Sequence, residues 1–189
     1  MHRLRCILNV SHQKPAMNFV PCTYERHASA ILEIFNDAIL NSTALYDYKP
    51  RPPESMVGWF KTKESGAFPV IGIEDAMGEL LGFATYGTFR AWPAYKYTVE
   101  HSVYVKSEHR GKGLGVALMK RLIEHARAQE RHVMVGGIDA ENAVSVALHR
   151  KLGFEHAGTI KQAAYKFGCW LDLAFYQLVL ETPSAPVDG

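Results

Sequence analysis

Residues 103–115, which read VYVKSEHRGKGLG, hold the part of the sequence that decides the fold. The apolar residues 103–105 predict the end of a strand, and the glycines at 111, 113 and 115 open a helical pattern. A helix that begins in this way offers unpaired N–H groups and a partial positive charge to a phosphate. Glycine lets the backbone approach that phosphate closely, but a plain tight turn explains the same glycines equally well. The loop is neither a Walker A motif nor a dinucleotide-binding fingerprint.

The hydrophobic pattern on both sides of this loop predicts seven strands and four helices. The strands lie at residues 19–24, 69–74, 80–90, 98–105, 133–138, 155–161 and 172–180, and the helices at 31–39, 54–63, 111–130 and 142–152. The order β-α-α-β-β-β-α-β-α-β-β puts antiparallel strands first and β-α-β units after them. We therefore expect an α/β (α+β) fold, with a mixed, mostly antiparallel central sheet and helices on both faces.

The composition is that of an ordinary globular protein. Of the 189 residues, 48% are hydrophobic and 21% are charged, which excludes a chain that is mainly disordered, collagen-like or a coiled coil. The formal charge of +2 gives no reason to expect nucleic acid as a partner. No apolar run approaches the ~18 residues of a membrane helix, so we expect no membrane partner.

The sequence predicts one domain at residues 18–181, between two segments of different character. The first sixteen residues contain three basic side chains and no acidic one. We expect residues 1–17 to be a disordered extension, although a weak targeting segment has the same composition. Residues 182–189, TPSAPVDG, are expected to form a flexible tail.

The cysteines and histidines give no sign of a metal site. Cys6, Cys22 and Cys169 are an odd number of widely spaced cysteines, which argues against a disulfide framework and against a cysteine zinc site. They favour a reducing compartment, and we expect a cytoplasmic protein. The histidines show no ligand spacing such as H-E-x-x-H, so we expect no metal.

A second cluster lies at residues 142–154, which read NAVSVALHRKLGF. Alone, it is a capped helix that stops at Gly153. Together with Arg110-x-x-Gly113-x-Gly115, it resembles the GCN5-related N-acetyltransferase (GNAT) superfamily, in which such a glycine loop opens the helix that holds the diphosphate of acetyl-CoA. The resemblance covers about residues 18–181. It implies the GNAT fold, acetyl-CoA as co-substrate and N-acetyltransferase activity.

Three further stretches resemble the phosphinothricin and methionine sulfoximine acetyltransferase branch of that superfamily. They are residues 86–93 (YGTFRAWP), 98–105 (TVEHSVYV) and 165–172 (YKFGCWLD). The resemblance implies that the acetyl group passes to the α-amine of a small amino acid analogue, such as phosphinothricin, methionine sulfoximine or methionine sulfone. It also implies direct attack in a ternary complex. Family members are commonly homodimers, so we expect a homodimer.

The resemblance assigns two catalytic residues. Glu100 takes the proton of the substrate ammonium, directly or through a water, although a solvated acid at a strand end is the simpler alternative. His149 stands where many relatives have the tyrosine that protonates the departing thiolate, but a histidine on a helix surface fits the same pattern. His101 alternates to the opposite face of the strand and is expected to be structural.

The remaining expected site residues bind either acetyl-CoA or the amine substrate. Those for acetyl-CoA are Val103, Tyr104, Val105, Arg110, Gly111, Lys112, Gly113, Leu114, Gly115, Val116, Asn142 and Ser145. Those for the substrate are Phe89, Arg90, Trp92 and Tyr95. Arginine suits a carboxylate and aromatic rings suit the rest of a small substrate, although aromatic residues in a loop often only pack together.

Two other functions stay open at this point. One is an acetyltransferase that acts on a protein N-terminus or a polyamine, but residues 89–97 contain no acid of the kind that a polyamine groove needs. The other is a non-catalytic sensor that only binds acyl-CoA. The presence of Glu100 beside an intact loop at residues 110–115 argues against such a sensor.

Overall fold

The fold consists of one sheet and helices in the predicted order. The structure is a computed structural model that describes residues 17–188, so the extension expected before residue 17 lies outside the described residues. Over these residues the strands are β1 (Asn18–Pro21), β2 (Val70–Glu74), β3 (Leu80–Thr88), β4 (Thr98–Val105), β5 (Val133–Asp139), β6 (Glu155–Lys166) and β7 (Cys169–Val179). The α-helices are α1 (Tyr24–Asn41), α2 (Ser55–Ser65), α3 (Leu114–Ala128) and α4 (Ala143–Lys151).

The sheet has the strand order β1-β2-β3-β4-β5-β7-β6. Among its neighbouring pairs, β4 and β5 run parallel and the rest are antiparallel. A parallel pair needs a crossover, and α3 provides it. The prediction of a mixed, mostly antiparallel sheet is confirmed.

Each face of the sheet carries its own hydrophobic core. Side chains alternate along β3, so Phe83 packs against α1 and α2 while the next residue, Ala84, packs against α3. On α1, the residues Ile31, Ile34 and Phe35 recur at helical spacing and are buried against the first face. The prediction of helices on both faces is therefore confirmed.

Several element boundaries differ from the sequence prediction; α1, for example, is longer at both ends than the predicted residues 31–39. The first strand ends at Pro21 instead of residue 24, because the side chain of Thr23 accepts a hydrogen bond from the Arg26 N–H and begins α1. The third helix begins at Leu114 instead of residue 111, since Gly111 and Gly113 have φ angles of 75° and 82°, which are not helical. The strands β6 and β7 are longer than predicted and meet at a tight turn.

The residues that follow β7 fold back onto the domain. The ring nitrogen Nδ1 of His132 lies 2.8 Å from the carbonyl oxygen of Thr182, and the N–H of Val187 donates to the hydroxyl of Tyr97. The flexible tail at residues 182–189 stays a prediction.

Candidate active site

The strands β4 and β5 pair at their beginnings and then separate. Their parallel ladder ends at Glu100↔Val135, although β4 continues to Val105 and β5 to Asp139. Beyond this point each strand keeps only its outer neighbour, β3 or β7. The two inner edges therefore face a gap with backbone N–H and C=O groups that a ligand can pair with.

A cleft of about 90 Å³ occupies this gap. It lies between β4, β5, α4 and the loop that joins α1 to α2. Of the residues expected from the sequence, five line it: Val103, Tyr104, Asn142, Ser145 and His149. Strand and helix residues that are far apart in the sequence are thus brought to one place.

Glu100 lies at the point where the two strands separate. Its Oε1 atom is 3.3 Å from the position that a Cβ atom would take on Gly137, a residue that lines the cleft. Burial raises the pKa of the Glu100 carboxyl above its ordinary value, while the nearby Arg90 guanidinium lowers it in part. A raised pKa makes this carboxylate a better proton acceptor than an exposed glutamate.

His101 and His149 form a buried pair on the opposite face of the sheet. Their Nε2 atoms are 3.0 Å apart, and His149 Nδ1 lies 2.7 Å from the carbonyl oxygen of Ser145. Because a carbonyl only accepts, His149 donates from Nδ1, and its Nε2 accepts from His101. This leaves Nδ1 of His101 as an acceptor that has no hydrogen-bond partner among residues 17–188.

Burial keeps both imidazoles neutral. Together with the neighbouring His149, it lowers the pKa of His101 to about 3. Burial also lowers the pKa of His149, although the hydrogen bond to Ser145 opposes this effect. The expectation that His101 lies on the other face from Glu100 agrees with the alternation of side chains along β4.

The loop before α3 leaves open backbone at the helix N-terminus. Within the described part of the chain, a Cβ atom on Gly111 or Gly113 would have no neighbour within 4 Å, and both residues have positive φ angles. Among residues 17–188 no side chain caps α3, and the first intrahelical bond of α3 runs from Ala117 N–H to the carbonyl of Gly113. The N–H groups of the first turn therefore remain for an anion such as a diphosphate.

The other residues of this loop have different surroundings. Arg110 donates to the carbonyl of Val105 and to Asp37 on α1, so it ties the loop to two elements. The Nζ atom of Lys112 lies 3.3 Å from His109. A Cβ atom on Gly115 would meet Leu148 of α4 at 3.1 Å, so this glycine permits close packing of α3 against α4.

Residues 30–154 match the model of the Acetyltransferase (GNAT) family, which is more than half of the chain. The chain belongs to the GNAT acetyltransferase family. GNAT enzymes use acetyl-CoA, and the open α3 N-terminus and the unpaired inner edges of β4 and β5 fit a diphosphate joined to an extended, amide-containing arm.

Relatives and solved structures agree with this assignment. An L-methionine sulfoximine/L-methionine sulfone acetyltransferase of Pseudomonas aeruginosa is 50% identical over 157 residues, which cover 82% of this chain and 91% of that protein. The structure of an N-acetyltransferase of Staphylococcus aureus Mu50 is 48% identical with a TM-score of 0.84, and covers 87% of this chain and 98% of that one. The structure of a GNAT superfamily phosphinothricin acetyltransferase of Sinorhizobium meliloti in complex with acetyl-CoA is 33% identical with a TM-score of 0.86. The match covers 90% of this chain and 92% of that one.

The expected substrate residues of this GNAT enzyme lie in the loop between β3 and β4. Arg90 stacks over the ring of Phe89 at 4.5 Å, and Tyr95 meets that ring edge-on at 5.8 Å. Arg90, Trp92 and Tyr95 line a second cavity of about 290 Å³, which is separate from the cleft between β4 and β5. The Arg90 guanidinium lowers the pKa of the Glu100 carboxyl in part, which opposes the effect of burial.

Several cleft residues were missed by the sequence analysis. The hydroxyl of Thr43 donates to Asp139, and burial together with that carboxylate raises the pKa of Tyr46. No local pattern could reveal a contact between residues 96 positions apart. The pair Gly136-Gly137 did offer a signal, because glycine inside a strand often marks the close approach of another group.

Neither a metal cluster nor a membrane span is found where the structure describes the chain. Residues 17–188 contain no group of three or more His, Cys, Asp or Glu side chains that could hold a metal ion. Over the same residues, no helix is both long and apolar enough to cross a membrane.

Proposed function

We propose that this enzyme transfers the acetyl group of acetyl-CoA to the α-amine of a small amino acid analogue such as methionine sulfone, methionine sulfoximine or phosphinothricin. The observation that carries this proposal is the carboxylate of Glu100, which lies beside Gly137 where β4 and β5 separate. The 50% identity to an L-methionine sulfoximine/L-methionine sulfone acetyltransferase supports the class of substrate.

Glu100 acts as the general base in this proposal. It accepts one proton from the substrate ammonium, directly or through a water, which frees the lone pair of the nitrogen. The nitrogen then attacks the thioester carbonyl carbon, a C–N bond forms, and the C–S bond breaks with its electron pair on the sulfur of CoA. The nitrogen gives up its second proton as the amide forms, and the CoA thiolate takes up one proton, so the N-acetylated product and free CoA are released. The proposed attack is direct, because neither of the two cysteines within residues 17–188, Cys22 and Cys169, lines the cleft to carry an acyl group.

The backbone of the loop and of β4 holds the co-substrate in this proposal. The N–H groups of Leu114, Gly115 and Val116 in the first turn of α3 receive the diphosphate, with Gly111 and Gly113 leaving room beside them. Lys112 adds positive charge. The inner edge of β4 from Val103 to Val105 pairs with the amide groups of the pantetheine arm, and Asn142 and Ser145 border it at the start of α4.

The role of His149 as the acid stays a prediction. Both of its ring nitrogens are occupied by Ser145 and His101, and burial keeps the ring neutral. The neutral pair therefore holds no spare proton for the thiolate, and protonation of His101 Nδ1 is the step that would supply one. A His149→Phe variant that keeps its rate would remove the acid role and leave the thiolate to be protonated by solvent.

A homodimer is part of this proposal. The turn between β6 and β7 presents the exposed aromatic residues Tyr165, Phe167 and Trp170, which is unusual for a surface that faces only water. Sedimentation analysis tests the dimer directly. A cytoplasmic location is proposed on the free thiols of Cys22 and Cys169, which suit a reducing compartment.

The test of the proposed function is a substrate panel read out by release of free CoA. It compares methionine sulfone, methionine sulfoximine and phosphinothricin with spermidine and with a peptide that has a free N-terminus. The expected result is the highest kcat/KM for the amino acid analogues. A clear preference for the peptide or the polyamine would replace the proposed substrate, and no turnover with any amine would leave only a binding function.

A further inference from the structure

Lys63 lies on the same face of the sheet as Glu100. It belongs to the last turn of α2, and its Nζ atom donates to the carbonyl of Tyr86 at 2.8 Å. The same atom is 3.5 Å from the position that a Cβ atom would take on Gly87. Gly87 is the residue of β3 directly opposite Glu100 in the antiparallel ladder, so the two residues project toward the same face.

The ammonium group of Lys63 has spare hydrogen-bonding capacity. Among residues 17–188 it takes part in no salt bridge, and of its three donors one has an acceptor, the carbonyl of Tyr86. The rings of Trp59 and Phe68 lie 5.4 and 5.8 Å away and add a weaker attraction. Burial lowers the pKa of Lys63 to about 8, as expected for a cation that has lost water without gaining a counter-ion.

Lys166 is a buried lysine of this fold whose ammonium group has a full set of hydrogen-bond acceptors. Its Nζ atom donates to three carbonyl groups, those of Ile39, Ser42 and Leu45, at the end of α1. All of its donors are used, so its role is to hold the start of the α1–α2 loop. Lys63 is different, because its donors are incompletely used and it borders the open space above Gly87.

We propose that Lys63 binds the α-carboxylate of the amino acid substrate, an inference that rests on the proposed function. An α-amino acid carries its ammonium and carboxylate on one carbon atom, so it needs opposite charges on one surface, a short distance apart. Glu100 on β4 and Lys63 on α2 provide them on one face of the sheet, because Lys63 Nζ lies over Gly87, the residue of β3 opposite Glu100, and Gly87 has no side chain to fill the space between them. Arg90, on the loop that follows β3, is then left for the polar end of the substrate side chain.

The test compares two acceptors that differ only in the carboxylate: methionine sulfone and its decarboxylated amine, 3-(methylsulfonyl)propylamine. The variants are Lys63→Met, Lys63→Arg, and Lys61→Met as a matched control on an exposed position of the same helix. In Lys63→Met the KM for methionine sulfone should rise by about tenfold or more, the effect of losing one hydrogen bond to a charged group. The KM values for the amine and for acetyl-CoA should stay close to those of the wild type, and Lys63→Arg should recover part of the loss.

Each outcome decides between distinct conclusions. Equal losses for both acceptors, or no loss for either, overturn the carboxylate role of Lys63 while the proposed function stands. No turnover of methionine sulfone by the wild type overturns the proposed function itself and this inference with it. Thermal unfolding checks that the variants are folded. If Lys63→Met does not fold, the KM values for the two acceptors are compared in Lys63→Gln instead.

Discussion

The Nε2 atoms of His101 and His149 lie 3.0 Å apart, in the space that the missing side chain of Gly136 leaves open. A Cβ atom on Gly136 would be 2.6 Å from His101 Nε2 and 3.0 Å from His149 Nε2. Both rings are buried and also pack against Phe154, so neither can move aside cheaply. The glycine is therefore required by the two imidazoles.

Gly136→Ala should destabilise the enzyme. Forcing a methyl group into a packed core costs about 1–3 kcal/mol, and we expect the free energy of unfolding in urea to fall by that amount. Gly58→Ala is the matched control, because a Cβ atom on this helical glycine meets nothing within 4 Å. It should raise the free energy of unfolding by about 0.5–1 kcal/mol. Equal stability of Gly136→Ala and the wild type would contradict the packing of the histidine pair.

The same pair should make stability depend on pH. The pKa of His101 is about 3 in the folded chain against an ordinary 6.5, so between these values the unfolded chain binds more protons. The contribution of His101 to the free energy of unfolding is complete above pH 6.5 and is lost as the pH falls below that value. The loss is at most about 1.4 kcal/mol per pH unit. We expect His101→Gln to flatten the fall in unfolding free energy between pH 6.5 and pH 5. Parallel curves for the two proteins would show that His101 titrates normally.

The elements and the sheet could be predicted because their signals are local. The helical spacing of Ile31, Ile34 and Phe35 and the glycines around residue 113 lie within single segments, and the order of elements then restricts the topology. The element ends were less accurate, since they depend on single side-chain contacts such as the cap at Thr23.

The cleft could be predicted only in part. Glu100 and the α3 loop were found through the family pattern, but the wall formed by Thr43 and Tyr46 comes from an irregular segment without periodicity. The approach of Lys63 to Gly87 depends on how α2 crosses β3, which no spacing in the sequence encodes. The positions of these side chains depend on tertiary packing, so they could be found only from the structure.

Gly113→Val tests the phosphate loop. Gly113 has a φ angle of 82°, and Gly78 in the turn between β2 and β3 has a φ angle of 83°, with no neighbour of a Cβ atom within 4 Å at either residue. Gly113→Val and Gly78→Val should therefore lose similar stability, on the order of 1–2 kcal/mol, from backbone strain. Only Gly113→Val should raise the KM for acetyl-CoA, because its side chain would fill the room beside the diphosphate and push the diphosphate away from the N–H groups of α3. Weakening one hydrogen bond to a charged group in this way corresponds to about tenfold or more. An unchanged KM in folded Gly113→Val would remove the basis for diphosphate binding at this loop.

Glu100→Gln keeps the size of the side chain and removes the proton acceptor. A general base contributes roughly 10²–10⁴-fold, so kcat should fall by at least about a hundredfold. The KM for acetyl-CoA should change little, because the residues proposed to bind the diphosphate lie at positions 111–116 and not on this strand end. Glu64→Gln, which changes an exposed acid on α2, is the control and should keep the wild-type rate.

The pH profile separates a base from a merely structural carboxylate. The wild-type rate should rise as the pH passes upward through the pKa of Glu100, which burial places above its ordinary value, because only the deprotonated form accepts a proton. In Glu100→Gln this lower step should vanish, and the remaining rate should grow at higher pH as more substrate arrives with a neutral amine. Turnover of Glu100→Gln at the wild-type rate at pH 7 would show that another group is the base. A water held by backbone carbonyls, or His101, whose Nδ1 has no partner among residues 17–188, would then be the next candidate.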